Sequence, residues 1–481
     1  MKNILFALCT AISFSATAQV QQAELLGQWS DDENIVMVGW LQSRYNEVWG
    51  VAVNGSEIGI IGSTAGTHFI DVTDPNNPTE TVLVEGLATG TNLVHRDYHD
   101  YGGYLYAVAD EGNGGLEIID LSGLPETAER VYASDEFIRR SHNIFIDEDN
   151  ARLYAVAGVR GSGVGFDVMI LDISDPPNPQ LLASYNGTFN GVAFPNNHDI
   201  YVRDHIAYVN GGTNGLFTYD FTDVENPVLL TSLTEYPESG YNHAGYLDEE
   251  GKYYYLLDET HGTDIKAIDV CDTDDYNVVK LFNAEATSET TIAHNALVKC
   301  DRLYVSYYYE GLQIYDISDP ADPVRIYEYD TYPGPDEDFF AGAWGVYPFL
   351  PSGNILLSDL QTGLYVFSAI EQNCTYNVLA DCDAGNDAAV STEELPTAEN
   401  LQVFPQPATE EVFVDFTAKG SDTADFTLFD ISGKQVKHFA TKNITAGENT
   451  FEFSLENTAP GLYFLEMKGT KIQATVKVVV Q

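Results

Sequence analysis

Four histidines recur at one position of a repeated pattern, and this spacing could gather imidazoles around a common point. The residues are His142, His198, His243 and His294, each placed at the start of a short strand-like segment. Several neutral imidazoles with a carboxylate suit Zn²⁺, Cu²⁺ or Mn²⁺, and such an ion could close a channel or activate water. Two alternatives stay open: the imidazoles bond backbone groups of neighbouring repeats, or they contact a ligand or transfer protons directly.

Other polar and aromatic residues are predicted to share this site. The aligned position holds Trp49, Arg96 and Trp344 in the remaining repeats, and His95 lies on the incoming loop beside them. Carboxylates at the ends of second strands are expected around the same channel mouth, as a ligand-binding set: Asp110, Glu111, Asp258, Glu259 and Asp359. His99 falls later on the innermost strand of its repeat. The remaining histidines fall off this position and are expected to be ordinary: His68, His205, His261 and His438.

The elements that must position these side chains form a repeat. Segments such as "GLEIIDLSGLPE" (115–126) and "GLQIYDISDPADP" (311–323) recur 47 to 52 residues apart. The aligned residues are Asp71, Asp120, Asp172, Asp220, Asp269, Asp316 and Ser368. Four short strands per repeat predict a β-propeller with one blade per copy. The aspartates precede turns, where their side chains bond backbone amides, so we expect them to be structural.

The last repeat stops after its third strand, near Ile370. The segment "AELLGQWSD" (23–31) could supply the missing strand and leave the ring without an open edge. The expected fold class is therefore all-β, with a seven-bladed β-propeller over 19–372 that is closed by an N-terminal strand. An acidic linker (373–399) and a small C-terminal β-sandwich (400–481) follow.

The N-terminus predicts export. "MKNILFALCTAISFSATAQV" has a positive start, an apolar stretch and a small-residue cleavage site, so we expect a signal peptide over 1–18, cut between Ala18 and Gln19. No other apolar run is long enough to span a bilayer as a helix.

The net charge excludes one class of partner. Acidic residues outnumber basic ones 73 to 22, a formal net charge of −51. Such a chain repels nucleic acids and anionic lipids. Ca²⁺ binding at the acidic surface is an alternative to plain solubility, although the sequence has no complete EF-hand spacing.

We expect the protein to be a monomer.

The cysteines of the exported chain predict disulfides. Cys271 and Cys300 both fall in turns on the face opposite the histidines, so a bridge between them could join the fifth and sixth blades. Cys374 and Cys382 could close a small loop in the linker.

The order of motifs over 24–370 resembles the LVIVD-repeat, choice-of-anchor B family of exported bacterial proteins. The matching stretches include "IIGSTAGTHFIDVTDP" (60–75), "HRDYHDYGGYLYAVADEGNGGLEIIDLSGLP" (95–125) and "SHNIFIDE" (141–148). The resemblance implies a propeller displayed outside the cell by interchangeable anchors, without an established reaction.

The C-terminal region resembles the sorting domain of the type IX secretion system of Bacteroidetes. The matching stretches are "VFPQPATEEVFV" (403–414), "LFDISGKQV" (428–436) and "APGLYFLEM" (459–467), although the usual Pro-Asn-Pro has Gln406 at its centre. The resemblance implies transit through the periplasm, contact with the type IX machinery, and attachment at the outer-membrane surface or release.

Two functions follow as alternatives. The favoured one is a binding module for a glycan, a peptide or a protein at the channel mouth. The other is a metal-dependent hydrolase, lyase or oxidase that uses the histidines. Fold alone does not decide between them.

Overall fold

The structure, a computed structural model, separates into two compact units, Met1–Gly385 and Asn386–Gln481. It describes residues 20–88, 93–273, 275–285, 291–335, 339–374, 399–405, 408–409, 411–418, 420–430, 435–455, 458–459, 461–469 and 473–480. The expected signal peptide, its cleavage site, Cys382 and most of the expected linker lie outside these residues.

The first unit is built of short strands. They are, in chain order, β1 (Gln21–Gln22), β2 (Leu25–Trp29), β3 (Tyr45–Val53), β4 (Ser56–Ser63), β5 (Gly66–Asp71), β6 (Thr79–Glu85), β7 (Arg96–Tyr101), β8 (Tyr104–Ala109), β9 (Leu116–Asp120), β10 (Glu129–Ser134), β11 (Asn143–Asp147), β12 (Arg152–Val159), β13 (Gly165–Asp172), β14 (Gln180–Tyr185), β15 (Gly187–Phe189), β16 (Val192–Phe194), β17 (Asp199–Arg203), β18 (Ile206–Asn210), β19 (Leu216–Asp220), β20 (Val228–Leu233), β21 (Asn242–Leu247), β22 (Tyr253–Asp258), β23 (Ile265–Asp269), β24 (Asn277–Phe282), β25 (Asn295–Lys299), β26 (Arg302–Ser306), β27 (Leu312–Asp316), β28 (Val324–Tyr329), β29 (Ala343–Tyr347), β30 (Ile355–Asp359) and β31 (Gly363–Phe367).

Helix is nearly absent from the described residues. One 3-10 turn covers Glu148–Asn150. No helix in these parts of the chain has the length and hydropathy needed to cross a membrane.

In the described residues these strands form six sheets of four strands and one of five, and all pairs are antiparallel except β1 with β28. Apart from the added N-terminal strands β1 and β2, the first strand of each sheet in sequence is its innermost. The innermost strands, in order, are β3, β7, β11, β17, β21, β25 and β29, and each lies beside the next. The last of them, β29, lies beside the first, β3, so the inner strands form a closed cycle. A small hairpin, β15 with β16, stands outside this pattern.

The N-terminal segment supplies the closing strands. β2 pairs antiparallel with β31 and occupies the outer edge of the last sheet, with Trp29 opposite Leu364. β1 pairs in parallel with β28 and adds a fifth strand to the preceding sheet. Two sheet edges are therefore covered by residues from the other end of the unit, which satisfies backbone groups that an open edge would expose.

Burial changes from the inside of each sheet to the outside. In the second sheet, β8 and β9 are almost entirely buried, whereas β10 alternates between exposed and half-buried residues. Strands buried on both faces carry continuous apolar runs, whereas a strand with one solvent-exposed face alternates between apolar and polar residues. The sequence pattern therefore sets which strand faces solvent.

The repeated aspartates are structural, as predicted. In six repeats the Oδ1 atom of the aspartate accepts a hydrogen bond from the backbone N–H two residues on, at 2.7 to 3.0 Å. The six are Asp71, Asp120, Asp172, Asp220, Asp269 and Asp316. Each carboxylate satisfies an amide in the turn between the third and fourth strands.

The second unit consists of two antiparallel sheets. Its strands are β32 (Glu399–Phe404), β33 (Glu411–Ala418), β34 (Asp422–Asp430), β35 (Gln435–Ile444), β36 (Gly447–Ser454), β37 (Gly461–Gly469) and β38 (Gln473–Val480). One sheet has the order β32-β33-β36 and the other β35-β34-β37-β38. Residues from both sheets, such as Val414 and Phe426, share one apolar core.

The disulfide pairing differs from the expectation. Cys300 is bonded to Cys374, 74 residues away, so neither a Cys271–Cys300 nor a Cys374–Cys382 bridge forms. The reason is that the chain leaving the last sheet passes the turn between β25 and β26, where the N–H of Asn373 donates to Asp301 Oδ1 at 2.7 Å. The covalent link therefore ties the end of the ring to the sixth sheet.

Removal of this bond is expected to destabilise the first unit. For Cys374→Ser we expect a loss of about 2–4 kcal/mol in the free energy of unfolding, because the unfolded chain regains the freedom of a long loop. Urea denaturation under non-reducing conditions measures the loss. Peptide mapping of the wild-type chain and of Cys271→Ser should yield the same Cys300–Cys374 cross-linked peptide, and a Cys271–Cys300 peptide would contradict this pairing.

Candidate functional site

The inner strands bring five imidazoles and one indole into a closed ring around the channel. Successive ring centroids lie 4.1 to 5.4 Å apart, and the last side chain contacts the first. This histidine ring consists of His95, His142, His198, His243, His294 and Trp344. Its members come from six consecutive sheets, at or near the start of the innermost strand.

Hydrogen bonds fix which imidazole nitrogen keeps its lone pair. Nδ1 of His198 lies 3.0 Å from the carbonyl oxygen of His243, and Nδ1 of His294 lies 2.6 Å from that of Trp344. A carbonyl oxygen only accepts, so each Nδ1 carries the proton and donates. Nε2 of the neutral ring then keeps a lone pair that can ligate a metal. The bonding to neighbouring repeats, expected as an alternative, is present here and leaves Nε2 available.

Burial keeps three of these imidazoles neutral. Burial and the neighbouring histidines hold the pKa of His198 and of His294 well below the ordinary value. Burial, with a smaller effect of His142, lowers the pKa of His243 to about 3. Because a neutral imidazole is the ligating form, no proton needs to leave these rings before a metal binds at neutral pH.

Two carboxylates orient the more exposed part of the ring. Oδ2 of Asp110 lies 3.0 Å from Nδ1 of His142, and Oε1 of Glu111 lies 2.5 Å from Nδ1 of His95. Burial lowers the pKa of His95, but its hydrogen bond to Glu111 and the surrounding carboxylates outweigh burial and raise it overall. These pairs place carboxylates at the channel mouth, where the sequence analysis expected them.

Glu259 links the ring to a buried tyrosine. Its Oε2 atom is 3.8 Å from Nε2 of His243, and its Oε1 atom accepts a hydrogen bond from the Tyr308 hydroxyl at 2.6 Å. The φ angle of Tyr308 is 34°, in the left-handed region that residues other than glycine seldom adopt. The carboxylate is thus held at a fixed position beside an imidazole.

Two sets of three ligand atoms lie close enough to consider a metal. In each set the atoms are within 4.8 Å of one another: one is His198, His243 and Glu259, the other His95, Asp110 and His142. A tetrahedral Zn²⁺ with bonds of about 2.1 Å separates its ligands by about 3.4 Å, so each pair of ligand atoms would have to approach by at most about 1.4 Å. The cavity that the ring lines measures about 20 Å³, room for one water or ion.

Two residues predicted for this ring lie elsewhere. Trp49 sits three residues beyond the aligned position, which Asn46 occupies, because β3 begins at Tyr45 and Trp49 is its fifth residue. Arg96 is aligned, but its guanidinium turns away and its Nε donates to the carbonyl oxygen of Ser63 at 2.9 Å. His95 takes its place in the ring, as its position on the incoming loop suggested.

Two of the predicted carboxylates are structural and do not line the mouth. Asp258 is fully buried in an ion pair, 2.7 Å from Nζ of Lys266. Asp359 is also fully buried and accepts hydrogen bonds from the hydroxyl of Thr331 and the N–H of Thr362. Both side chains fold back into their own sheets because each has a donor there.

The sequence analysis missed a layer of carboxyl groups below the ring. Glu47, Asp97 and Asp199 line the channel, and burial raises the pKa of Asp97 to about 7 and of the other two well above their usual range. We name these three the carboxyl layer. Their only signal in the sequence was their position near the start of an inner strand. Each follows directly after the residue at the aligned position, which is Asn46, Arg96 or His198.

An aromatic cluster lies beyond the carboxyl layer. Its centroids are 4.5 to 5.3 Å apart from one ring to the next. This aromatic collar consists of Trp49, His99, Phe145, Tyr201 and Tyr246. Asp97 and His99 are two residues apart on β7, as Asp199 and Tyr201 are on β17, so side chains of one strand face give both layers.

A Ser–His–Glu arrangement occurs outside the channel. Oγ of Ser63 lies 2.7 Å from Nε2 of His68, whose Nδ1 lies 3.0 Å from Glu80 Oε2. The geometry is that of an activated nucleophile. However, Ser63 is 0% exposed and its Oγ accepts a hydrogen bond from the Ala65 N–H, so no substrate reaches it. The three residues tie β4, β5 and β6 together.

The raised pKa of Asp97 predicts a pH-dependent stability. An unfolded aspartate titrates near about 3.9, so between that pH and about 7 the folded chain holds a proton that the unfolded chain releases. Asp97 therefore makes the fold less stable as the pH rises. For Asp97→Asn we expect the free energy of unfolding, relative to wild type, to increase by about 1–3 kcal/mol between about pH 4.5 and 7.5.

Urea denaturation at the two pH values measures this difference. The exposed carboxylate of Glu225 offers a matched control, since Glu225→Gln removes one charge without touching the channel. A stability difference that is the same at both pH values for Asp97→Asn would contradict the raised pKa.

Comparisons with known proteins identify two regions. Residues 402–481 match the model of the secretion system C-terminal sorting domain. Residues 100–127, 164–187 and 292–331 match the model of the LVIVD repeat. No curated protein sequence matches the chain.

Solved structures similar to this chain include β-propellers. The β-propeller domain of Myceliophteria thermophila Cps50 (Swd1) is 12% identical, with a TM-score of 0.48 over 72% of this chain and 100% of that one. The WD40 repeats of RRP9 are 8% identical, with a TM-score of 0.48 over 72% of this chain and 99% of that one. A protein from Lactobacillus plantarum is 14% identical, with a TM-score of 0.43 over 85% and 99%.

The sorting domain indicates export by type IX secretion to the cell surface or the extracellular space, and contact with the type IX machinery. Together with the cyclic sheets of the first unit, the family matches identify this chain as a β-propeller protein with LVIVD repeats and a secretion system C-terminal sorting domain.

Proposed function

We propose that this exported protein binds a divalent transition metal in the histidine ring and holds a ligand at the channel mouth above it. The observation that carries the proposal is the closed ring itself, in which His198 and His294 are buried and neutral and donate a hydrogen bond through Nδ1. Zn²⁺, Cu²⁺ and Mn²⁺ accept such nitrogen ligands with a carboxylate.

The inner set is the better ligand set. His198 and His243 are neutral, and Glu259 supplies a negative charge that offsets part of the charge of the ion. In the outer set, Asp110 is already hydrogen-bonded to His142, and His95 is hydrogen-bonded to Glu111. The outer set therefore forms the rim of the site, and the inner set holds the ion.

The rim suits a glycan. Glu111 and Asp110 are partly exposed and offer acceptors for hydroxyl groups, while Trp40 (58% exposed) and Tyr241 (37% exposed) offer aromatic faces for sugar rings. Ring contacts connect Trp40 through Phe340 and Tyr308 to His294. A peptide or protein ligand is the alternative that the same surface allows.

The finer architecture belongs to the same proposal. The seven cyclic sheets are the blades of one seven-bladed propeller, which β2 closes, and the two sheets of the second unit are a β-sandwich. Choice-of-anchor B display at the outer-membrane surface fits a binding module that acts outside the cell. Monomeric function is consistent with a complete ring in one chain.

A metal-dependent enzyme is the second candidate, and one observation favours it. Two imidazole–carboxylate pairs, His95 with Glu111 and His142 with Asp110, stand at the mouth beside the proposed ion. Such pairs can donate and accept protons while a metal polarises a substrate oxygen. The reaction would be a hydrolysis, a lyase step or an oxidation.

The metal content of the full chain tests the proposal. Protein purified without chelator should contain about one transition-metal ion per chain by mass spectrometry of the elements, and His198→Ala and His243→Ala should each lose at least about nine-tenths of it. His438→Ala, an exposed histidine of the second unit, should retain it. Circular dichroism verifies the fold of each variant.

The ligand is tested on the same samples. A glycan array probed with wild-type protein should show hits that disappear after chelator treatment and return with Zn²⁺. The proposal is wrong if wild-type protein holds no metal even after incubation with excess Zn²⁺, or if both histidine variants hold as much as wild type.

A further inference from the structure

The far half of the channel forms a second cavity, which shares Glu47 and Asp97 with the cavity at the histidine ring. It measures about 90 Å³, and both the carboxyl layer and the aromatic collar line it. A larger groove of about 500 Å³ lies beside this end of the channel and is lined by Asp100 and Tyr347. Tyr347 contacts Trp49 of the collar, with centroids 4.9 Å apart, so groove and cavity adjoin.

No cation of the described chain neutralises the carboxyl layer. Asp97 accepts a hydrogen bond from the Ile144 N–H at 2.6 Å, Asp199 from the Ile200 N–H at 2.7 Å, and Glu47 from the Asn295 amide at 3.1 Å. None of the three forms an ion pair with a described lysine or arginine. Buried carboxylates without a counter-charge are costly, and a bound cation would offset that cost.

The spacing of these carboxylates does not suit a bare metal ion. Among the residues that the structure describes, the sets of three close ligand atoms lie at the histidine ring, and none includes the carboxyl layer. A larger cation, which needs charge nearby without direct coordination bonds, fits this arrangement better. Asn143 and Asn295 add amide groups to the same wall.

The aromatic collar selects the kind of cation. Its five rings line one end of the cavity, and aromatic rings attract ammonium groups through the ring quadrupole. The cavity of about 90 Å³ is smaller than the about 150 Å³ cavity that holds benzene, so only a compact ammonium head group would lie inside it. The rest of the molecule would extend into the groove past Asp100, whose Oδ1 accepts a hydrogen bond from Trp49 Nε1 at 2.7 Å.

We propose that this cavity binds an alkylammonium group, quaternary or primary, with its charge toward Asp97, Asp199 and Glu47 and its carbons against the aromatic collar. The group comes from a free quaternary ammonium compound such as choline or from a modified lysine side chain of a peptide. This site goes beyond the proposed metal site, with which it shares Glu47 and Asp97 as neighbours.

Calorimetric titration of the full, chelator-treated chain tests the proposal at about pH 8. The probes are choline, its uncharged carbon isostere 3,3-dimethyl-1-butanol, and a short peptide with trimethyllysine. Choline or the peptide should bind at least about tenfold more tightly than the isostere. Tighter binding of the peptide would show that the ammonium group comes from a protein, and tighter binding of choline would show that it comes from a free quaternary ammonium compound.

Variants locate the site. Asp97→Asn and Trp49→Leu should each weaken ammonium binding at least about tenfold, since one removes the charge and the other the aromatic face. Glu225→Gln should bind like wild type, which separates a local effect from the general negative charge. The comparison between choline and its isostere needs no variant, so a variant that fails to fold leaves the test intact. Equal binding of the isostere, no binding of either ammonium probe, or an equal loss in Glu225→Gln overturns the proposal.

Discussion

Closure of the inner strands around one axis is the constraint on which the rest of this structure depends. Because β29 lies beside β3, every inner strand has a neighbour on both sides, and equivalent side chains from successive sheets must meet in the channel. A narrow channel leaves such side chains little water. They must bond to each other or to the backbone, or hold something between them. Imidazoles of the histidine ring such as His198 bond to the backbone, and the ring is arranged to hold an ion between its members.

The channel is electrically layered as a consequence. Imidazoles, three of which burial keeps neutral, stand at one end, acidic groups in the middle and aromatic rings at the other end. Burial affects the layers in opposite ways: it lowers the pKa of His198 and His243 and raises the pKa of Asp97 and Glu47. Both shifts favour uncharged side chains in the empty channel. A cation could bind at either level, through imidazole lone pairs in the histidine ring or through the negative charge of the carboxyl layer.

The repeats made much of this predictable. The spacing of the Asp-containing turns indicated the all-β propeller, and the hydrogen bonds of Asp71 and its equivalents confirm their role in the turns. The positions of His142, His198, His243 and His294 followed from the same alignment, because each inner strand begins at an equivalent point of its repeat. At these positions the local sequence pattern and the repeat architecture indicate the same placement of the side chains.

Prediction failed where one copy departs from the average. β3 begins four residues before Trp49, which places Trp49 in the aromatic collar, and Arg96 donates to the Ser63 carbonyl instead of joining the ring. The partner of Cys300 lies beyond the last repeat, where no periodicity applied. Asp97 and Asp199 are single acidic residues, and their depth in the channel is defined only once the inner strands have assembled into a ring.

The direct test of the account is where a metal sits. A crystal of the full chain, equilibrated with Zn²⁺ and measured on both sides of the zinc absorption edge, locates the ion by its anomalous scattering. The account predicts a peak on the channel axis, about 2.0–2.3 Å from Nε2 of His198 and of His243. A channel without a peak, while surface carboxylates carry zinc, would contradict it.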